Sequence, residues 1–319
     1  MRAIILVIGG VLAALPAMVL SGCRGGGAER DRPLVVTTVT MVTDLVGVIA
    51  GDRVEVTGLM GPGVDPHSYK PSLPDSGLLE EADAVFYCGM HLEGKMQEGL
   101  ERLAERREGI HAVSSGIPTE VLLEPQEEFE GHYDPHVWGD PELWIHTVDV
   151  VVRGLSEIDP EGKAIYEERG TTYKKELRTL KAWAVERVAE VPVDKRVLVT
   201  SHDAFFYFGK GFEFEVRGLQ GVSTVSEAAL KDRSDLVKFI KARGIRTIFP
   251  ESSVNPKAIA AVAAEAGVAV SKEELFSDAM GTPGEVVNLH GESYDKGTYL
   301  GMVRHNVNSI VDGLKEVDR

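Results

Sequence analysis

The feature that most constrains the fold is a long helix-forming segment in the middle of the chain. Residues 161–191, "EGKAIYEERGTTYKKELRTLKAWAVERVAEV", keep their apolar side chains mainly to one side, and Pro192 ends the pattern. A helix of about 30 residues is roughly 45 Å long at 1.5 Å per residue, which exceeds the radius of an ordinary domain. The sequence therefore predicts a linking helix, assigned to residues 160–191, that bridges two lobes.

Strand-like and helix-like segments alternate on both sides of this helix. Short β-branched or apolar runs such as 33–40 and 54–60 are followed by segments with helical spacing, including one predicted helix over 141–158. Such alternation predicts an α/β fold with two lobes, each with a parallel-type β-sheet flanked by helices, joined by the long helix. The lobes are assigned to residues 33–159 and 192–319. Ligands in such folds bind beyond the carboxyl ends of strands or between lobes.

The first residues predict export and a lipid anchor. Arg2 precedes 18 apolar residues, and "LSGC" at 20–23 has the pattern of a bacterial lipobox. The pattern predicts a signal peptide over 1–22, a lipid on Cys23, and a flexible tether over 23–32. The alternative is an uncleaved transmembrane anchor, but Pro16 interrupts the apolar run, which is near the lower length limit for spanning. The predicted location is the periplasmic or extracellular face of a cell membrane.

Charge and cysteine content argue against a nucleic-acid-binding protein and against a fold held by an intramolecular disulfide. The formal net charge of −16 argues against nucleic-acid binding, which needs a basic face to displace counterions. Cys88 is the only cysteine besides Cys23, so no intramolecular disulfide is available once Cys23 is acylated. Cys88 lies in the apolar run "AVFYCGM" and is interpreted as a buried structural thiol.

Four segments near predicted strand ends carry candidate metal ligands. "DPHSYKPS" and "DPHVW" precede the long helix, and "SHDAFFYFG" and "LFSDAMG" follow it. The candidate ligands are His67, His136, His202 and Asp278. If both lobes face one cleft, three imidazoles and one carboxylate meet there.

Residues beside the candidate ligands are suited to hold them. Pro66 and Pro135 directly precede two of the histidines and fix their own φ angles. Asp65 and Asp134 lie two residues before those histidines, where each could cap a turn or accept the second imidazole proton. A lone loop histidine is more often a surface or capping residue than a ligand. That interpretation is kept for the other histidines, and His132 is at most an accessory ligand.

The combination of "DPHSYKPS", "DPHVW", "SHDAFFYFG", "GLQGVSTVSEA" and "LFSDAMG" resembles the metal-binding lipoproteins of bacterial ABC importers for zinc and manganese, especially the TroA-like branch. The resemblance runs from about residue 33 to residue 316. It implies two α/β lobes on a rigid helix, a monomer that delivers metal to a permease and its ATPase, and ligands at His67, His136, His202 and Asp278.

Three positions depart from patterns within this family, and two of them bear on the cargo. Manganese-dedicated relatives often carry glutamate at the position of His202, and zinc-dedicated relatives often carry a long histidine-rich loop where this chain has the short acidic stretch 124–131. Cys88 stands where asparagine is expected. Three imidazoles and one carboxylate suit Zn²⁺, and Mn²⁺ binds such nitrogen-rich sets less tightly. The expected cargo is Zn²⁺ or Mn²⁺, with Fe²⁺ also open.

The expected mechanism is capture of a metal ion rather than catalysis. The first alternative is a zinc-dependent hydrolase, for which Glu251 in "FPESS" is the nearest candidate base, although no "HExxH" motif is present. The others are a haem- or siderophore-binding protein, for which four convergent ligands leave little room, and an adhesin, which no sequence feature supports.

Overall fold

A computed structural model describes residues 30–125 and 129–315 of the chain. The predicted signal peptide (1–22), the predicted lipid attachment at Cys23 and most of the predicted tether lie outside the described residues. The described residues from Arg32 onward form one compact unit. No helix within the described ranges is both long and apolar enough to cross a membrane. The lobe boundaries at residues 159 and 192 stay a prediction.

The first half contains a four-stranded parallel sheet. Its order is β2 (Glu55–Gly58), β1 (Leu34–Thr37), β3 (Ala84–Tyr87) and β4 (Ile110–Ala112), with α1 (Thr40–Ala50), α2 (Leu73–Glu81) and α3 (Gln97–Arg106) between the strands. Every residue of β1 and β3 is buried, as expected for strands that are covered on both faces. The predicted parallel sheet is confirmed, although the short strand β4 was not predicted.

The segment predicted as one helix over 141–158 is two helices, α4 (Pro141–Trp144) and α5 (Thr147–Ile158), so the prediction of continuity is wrong. Near the junction the backbone bonds tighten to a three-residue spacing, from His146 N to the Leu143 carbonyl and from Val148 N to the Ile145 carbonyl. The Thr147 hydroxyl donates to the Trp144 carbonyl at 2.7 Å, so a side chain competes with the helical backbone bond there.

The predicted long helix is present as α6, which spans Lys163–Val188 and has 26 residues. At 1.5 Å per residue it is roughly 39 Å long. It packs against α1, α4 and α5 from the first half of the chain and against the last helix, α10 (Tyr299–Lys315), from the second half. Its buried residues follow helical spacing; they are Tyr166, Gly170, Tyr173, Leu177, Leu180, Ala184 and Val188. The helix therefore shares its apolar stripe with both halves.

The second half contains two-stranded sheets rather than one four-stranded sheet. β5 (Val197–His202) pairs in parallel with β6 (Glu215–Gln220), and β7 (Thr247–Ile248) pairs in parallel with β8 (Ala269–Val270). The helices α7 (Phe206–Phe212), α8 (Leu230–Arg243) and α9 (Lys257–Ala266) connect them. The antiparallel hairpin of β9 (Val286–Leu289) and β10 (Glu292–Asp295) was not predicted. Its turn places His290 and Gly291 at positive φ, and a non-glycine residue is uncommon there.

Candidate metal centre

The four predicted ligands come together at one buried point. His67 lies in the loop after β2, His136 lies before α4, and His202 is the last residue of β5. Asp278 follows β8. One ligand atom from each residue lies within 4.8 Å of the others, and all four side chains are buried. The structure therefore assembles one set of donors from residues on both sides of α6 in the sequence.

The donor atoms approach one another closely. The Nε2 atoms of His67 and His136 are 3.3 Å apart. His136 Nε2 lies 3.3 Å from Asp278 Oδ1, and His202 Nε2 lies 3.3 Å from Asp278 Oδ2. The carboxylate thus lies between two imidazoles, with one oxygen toward each. Tetrahedral sites of Zn²⁺ need three or four such donors at about 2.0–2.2 Å from a common centre.

The loop that carries His136 is held by its own aspartate. Asp134 Oδ1 accepts the backbone N–H of His136 at 2.9 Å and lies 2.7 Å from its Nδ1 atom. Asp134 therefore serves both roles expected from the sequence, because it caps the turn and orients the imidazole. With the Nδ1 proton held by the carboxylate, the lone pair of Nε2 is directed into the site.

In the loop that carries His67, Asp65 accepts bonds from the backbone and from two hydroxyls rather than from the imidazole. Asp65 Oδ1 accepts the backbone N–H of His67 at 2.9 Å, and Asp65 Oδ2 accepts the Ser68 hydroxyl at 2.7 Å. Thr224, in the loop between β6 and α8, also donates its hydroxyl to Asp65 Oδ2 at 2.7 Å. Asp65 thus caps the turn and ties this loop to the second half of the chain. No hydrogen bond from the His67 ring to Asp65 is seen.

His202 is oriented by an acid 49 residues later in the sequence. Glu251 Oε1 accepts the backbone N–H of His202 at 2.9 Å, and Glu251 Oε2 lies 2.5 Å from its Nδ1 atom. Both side chains are fully buried. The interpretation of Glu251 as a supporting residue rather than a catalytic base agrees with these two bonds, which use both of its carboxylate oxygens.

Burial and charge move the pKa values of the four groups in different directions. Burial alone lowers the pKa of His136, but Asp134 and Asp278 outweigh it and raise that pKa to about 9. The same opposition, with Asp278 and Glu251 as the anions, raises the pKa of His202. Burial lowers the pKa of His67 to about 4. Burial raises the pKa of Asp278, but the imidazoles of His202 and His136 lower it by more.

Four contacts that sequence reasoning missed surround Asp278 and the loops, and all but the Ser253 contact are buried. Ser253 Oγ donates to Asp278 Oδ2 at 3.3 Å, and Trp138 Nε1 donates to the Ser277 carbonyl at 2.7 Å. Glu93 accepts the Thr38 hydroxyl and the backbone N–H of Cys88. A serine directly after "PES" and a glutamate in "HLEG" carry no local signal of these partners, since every partner except Cys88 is distant in the sequence.

Cys88 is buried, as predicted, and its thiol lies 3.7 Å from the Pro135 carbonyl. Burial raises the pKa of this thiol, so it stays protonated and can donate weakly to that carbonyl. Pro135 directly precedes His136. The thiol therefore supports the turn that carries a candidate ligand.

The remaining histidines do not join the cluster. His132 stacks on His91 with ring centroids 3.6 Å apart, and stacked rings direct their nitrogen lone pairs along parallel planes rather than toward one point. His111 stacks on Phe86, and His305 bonds the Glu274 carbonyl. Among the described residues, the four predicted ligands form the one group of three or more suitable donors.

The chemistry of the four donor groups suits a transition-metal ion. His202 Nε2 and Asp278 Oδ1 are buried and have no hydrogen-bond partner within the described ranges. Buried polar atoms without a partner are costly, and both atoms face the common centre. A divalent cation there would satisfy them. The full burial of the donors also means that a bound ion would be shielded from water.

Comparison with known proteins gives consistent matches over nearly the whole chain. The profile of the family described as zinc-uptake complex component A, periplasmic, matches residues 35–313. The manganese-binding lipoprotein MntA of Bacillus subtilis (strain 168) is 41% identical over 310 residues, which cover 96% of this chain and 97% of that protein. The zinc-binding protein TroA of Treponema pallidum (strain Nichols) is 42% identical over 297 residues, which cover 92% of each. The solved structure of the periplasmic zinc-binding protein TroA from Treponema pallidum superposes with a TM-score of 0.82 at 41% identity, covering 89% of this chain and 99% of that one.

Proposed function

The chain belongs to the family of the zinc-uptake complex component A, and on that premise we propose that it captures a divalent transition metal outside the cytoplasm and delivers it to an ABC permease. The observation that carries the proposal is the convergence of three imidazoles and one carboxylate at one buried point. We assign His67, His136, His202 and Asp278 as the metal ligands. The metal is cargo, so the protein acts by binding and release.

Zn²⁺ is the cargo that this donor set favours. Neutral imidazoles suit Zn²⁺, whereas Mn²⁺ is lowest in the order of affinities for nitrogen-rich sites. Of the two similar relatives, MntA is named for manganese and TroA for zinc, and their sequence identities to this chain are nearly equal. The donor chemistry therefore decides the proposal in favour of tighter Zn²⁺ binding, with Mn²⁺ as a second and weaker ligand.

Capture and release would work through the loops around the site. Because ligands come from segments before and after α6, a bound metal would hold the two halves of the chain together. The Asp65–Thr224 hydrogen bond and the Trp138–Ser277 hydrogen bond also join these halves and would be made in the metal-bound form. Since α6 packs against both halves, we propose small tilts and loop shifts rather than a wide hinge motion. The permease and its ATPase would recognise this form and separate the ligands.

A lipid on Cys23 would keep the protein at the membrane surface. "LSGC" at 20–23 supports this assignment, and the relative MntA is named a lipoprotein. Residues 24–32 would then act as the tether between lipid and fold. We propose that the mature protein acts as an anchored monomer on the outer face of the cell membrane, beside its permease.

The hydrolase alternative gains no support from the site. A catalytic zinc centre keeps an open position for water, whereas here the fourth donor is Asp278 and every donor is buried. Glu251, the nearest candidate base, holds His202 with both of its oxygens. No specific feature of the described residues favours this alternative.

Thermal unfolding with and without metal tests the proposal. The protein without its signal peptide is stripped with chelator, and Zn²⁺ and Mn²⁺ are titrated separately into wild type and His202→Ala. A ligand at about 1,000 times its Kd stabilises the native state by about 4 kcal/mol. We expect both metals to raise the wild-type Tm, Zn²⁺ at the lower concentration, and His202→Ala to lose most of the effect.

Absence of metal binding would contradict the proposal. If neither metal shifts the wild-type Tm, and equilibrium dialysis detects no bound metal, the four residues do not form a metal site. His111→Ala serves as the matched control, because this histidine is outside the cluster and should leave the metal response unchanged.

A further inference from the structure

Asp278 is the one oxygen ligand of the proposed site, and its two carboxylate oxygens have different surroundings. Oδ1 lies 3.3 Å from His136 Nε2 and has no hydrogen-bond partner among the residues that the structure describes. Oδ2 accepts a hydrogen bond from Ser253 Oγ at 3.3 Å. Both oxygens face an imidazole of the site, since Oδ2 also lies 3.3 Å from His202 Nε2, but only Oδ2 has a hydroxyl donor.

The charge of Asp278 favours one direction for the hydrogen bonds around Ser253. Ser253 Oγ also lies 3.0 Å from Ser277 Oγ, and either hydroxyl is able to donate across that distance. Hydrogen bonds to an ionised acceptor are stronger than those between neutral groups. The arrangement that satisfies both hydroxyls runs from Ser277 to Ser253 and from Ser253 to the Asp278 carboxylate. The proton of Ser253 is thus directed at Oδ2.

This arrangement bears on the number of oxygens that Asp278 gives to a metal. A carboxylate with one oxygen engaged by a hydroxyl is biased toward binding through the other oxygen alone. Three imidazole nitrogens and one oxygen make four donors, the number that Zn²⁺ prefers in tetrahedral sites. If both oxygens were free, the site would offer five donors, and added carboxylate oxygen suits Mn²⁺ better.

We infer that Ser253 is a specificity-determining positioning residue: its hydrogen bond to Oδ2 holds Asp278 in one-oxygen binding through Oδ1 and thereby favours Zn²⁺ over Mn²⁺. This inference rests on the proposed metal-binding function. Ser253 does not touch the metal in this scheme and acts through the carboxylate. Its neighbour Ser252 has a buried hydroxyl with no hydrogen-bond partner in the described part of the chain, so it provides a matched control at the adjacent position.

The test compares Ser253→Ala with Ser252→Ala in chelator-stripped protein. Competition titrations give the affinities for Zn²⁺ and Mn²⁺, and the visible spectrum of bound Co²⁺ reports coordination number, because its bands weaken as the number rises above four. Outer-shell partners of metal ligands typically change affinity by about 10- to 100-fold. We expect Ser253→Ala to raise the ratio of Mn²⁺ to Zn²⁺ affinity by about tenfold and to weaken the Co²⁺ bands.

Two further variants separate this effect from loss of structure. Ser253→Thr keeps the hydroxyl and should retain the wild-type ratio and spectrum, and Ser252→Ala should do the same. If Ser253→Ala binds both metals with the wild-type ratio and Co²⁺ spectrum, the inference is wrong while the proposed function stands. If the wild-type protein binds neither metal, the proposed function fails, and the inference fails with it.

Discussion

Glu251 Oε2 lies 2.5 Å from Nδ1 of His202, and both side chains are fully buried. This pair fixes the tautomer of the imidazole. In the neutral ring the carboxylate holds the proton on Nδ1, so Nε2 carries the lone pair that faces the candidate centre. The other oxygen of Glu251 accepts the backbone N–H of His202, so the ring and its backbone are held by one residue.

Replacing Glu251 by glutamine should weaken metal binding without unfolding the protein. A glutamine amide offers one acceptor and one donor, so it cannot accept from both N–H groups of His202. The other tautomer of the imidazole is then stabilised, in which Nε2 is protonated and cannot bind a metal. We expect the Kd for Zn²⁺ to rise by about 10- to 100-fold in isothermal titration.

The control for this prediction is Asp203→Asn. Asp203 follows His202 directly, but its carboxylate accepts the backbone N–H of Gly218 at 2.7 Å and not the imidazole. An asparagine oxygen can keep that bond, so the Kd for Zn²⁺ should stay within a few-fold of the wild-type value. Equal losses in Glu251→Gln and Asp203→Asn would show that the tautomer argument is wrong.

The hydrogen bond from Thr224 to Asp65 predicts a change in the rate of metal release. It connects the loop that carries His67 to a loop in the second half of the chain, at 2.7 Å. A typical hydrogen bond contributes about 0.5–1.5 kcal/mol, which corresponds to roughly 2- to 10-fold in a rate. We expect Thr224→Val to speed Zn²⁺ dissociation by that factor in a stopped-flow experiment with excess chelator.

Thr224→Ser is the matched variant, because it keeps the hydroxyl and should dissociate Zn²⁺ at the wild-type rate. The on-rate should change little in either variant, since the bond lies beside the site and not among the ligands. An unchanged off-rate in Thr224→Val would mean that this contact does not hold the metal-bound form.

The position of the site could be predicted from the sequence because parallel strands direct their carboxyl ends to one edge. His67 and His202 follow or end such strands, and the structure places them beside His136 and Asp278. Which groups hold the ligands could not be predicted as well. Asp134 acts within its own turn, two residues from its histidine, so its role follows from the local sequence. Ser253 and Thr224 act on partners 25 and 159 residues away, and no local pattern encodes those contacts.

Three parts of the fold were not predicted because no periodic pattern in the sequence marks them. The strand β4 has three residues and is too short to show a period. The break between α4 and α5 depends on a hydroxyl of Thr147 that bonds back to the Trp144 carbonyl, whereas the apolar stripe continues through it. The hairpin of β9 and β10 turns at His290 and Gly291, and a positive φ at a non-glycine residue such as His290 is uncommon.

Gly94 lies against the loop that carries His67, so a larger residue at position 94 should disturb the site. Its φ is +26°, and a Cβ added there would lie 2.4 Å from the carbonyl oxygen of His67. Alanine at this position would therefore push on the loop that carries a candidate ligand. We expect Gly94→Ala to lower the free energy of unfolding by about 1–3 kcal/mol and to raise the Kd for Zn²⁺. Chemical denaturation and titration of the same sample measure both.

Gly99→Ala is the matched control within the next helix. A Cβ at Gly99 would meet nothing within 4 Å, and the residue lies inside α3. Alanine is preferred over glycine in helices by about 0.5–1 kcal/mol, so this variant should be slightly more stable and bind metal normally. The site does not depend on the Gly94 contact if Gly94→Ala also binds normally.

Proton competition predicts how metal binding varies with pH. In the metal-free protein the pKa of His136 is raised to about 9, so this ring is an imidazolium at neutral pH, and the pKa of His202 is raised in the same direction. A metal needs their lone pairs, so binding must release protons. Protonation favours the metal-free form below pH 9. The apparent Kd for Zn²⁺ should therefore fall as the pH rises from 6 to 9, by up to about tenfold per pH unit for each proton released, and the part of this dependence due to His136 should level off above 9.

Titration calorimetry in buffers with different ionisation enthalpies counts the protons released at each pH. Asp134→Asn supplies the decisive comparison, because the charge of Asp134 raises the pKa of His136. Without that charge the pKa of His136 should fall toward the range set by burial and Asp278, so fewer protons should be released at pH 7 and the contribution of His136 should level off at a lower pH. A Kd that stays constant between pH 6 and pH 9 in the wild-type protein would contradict this account, since it would mean that the imidazoles are already neutral before the metal arrives.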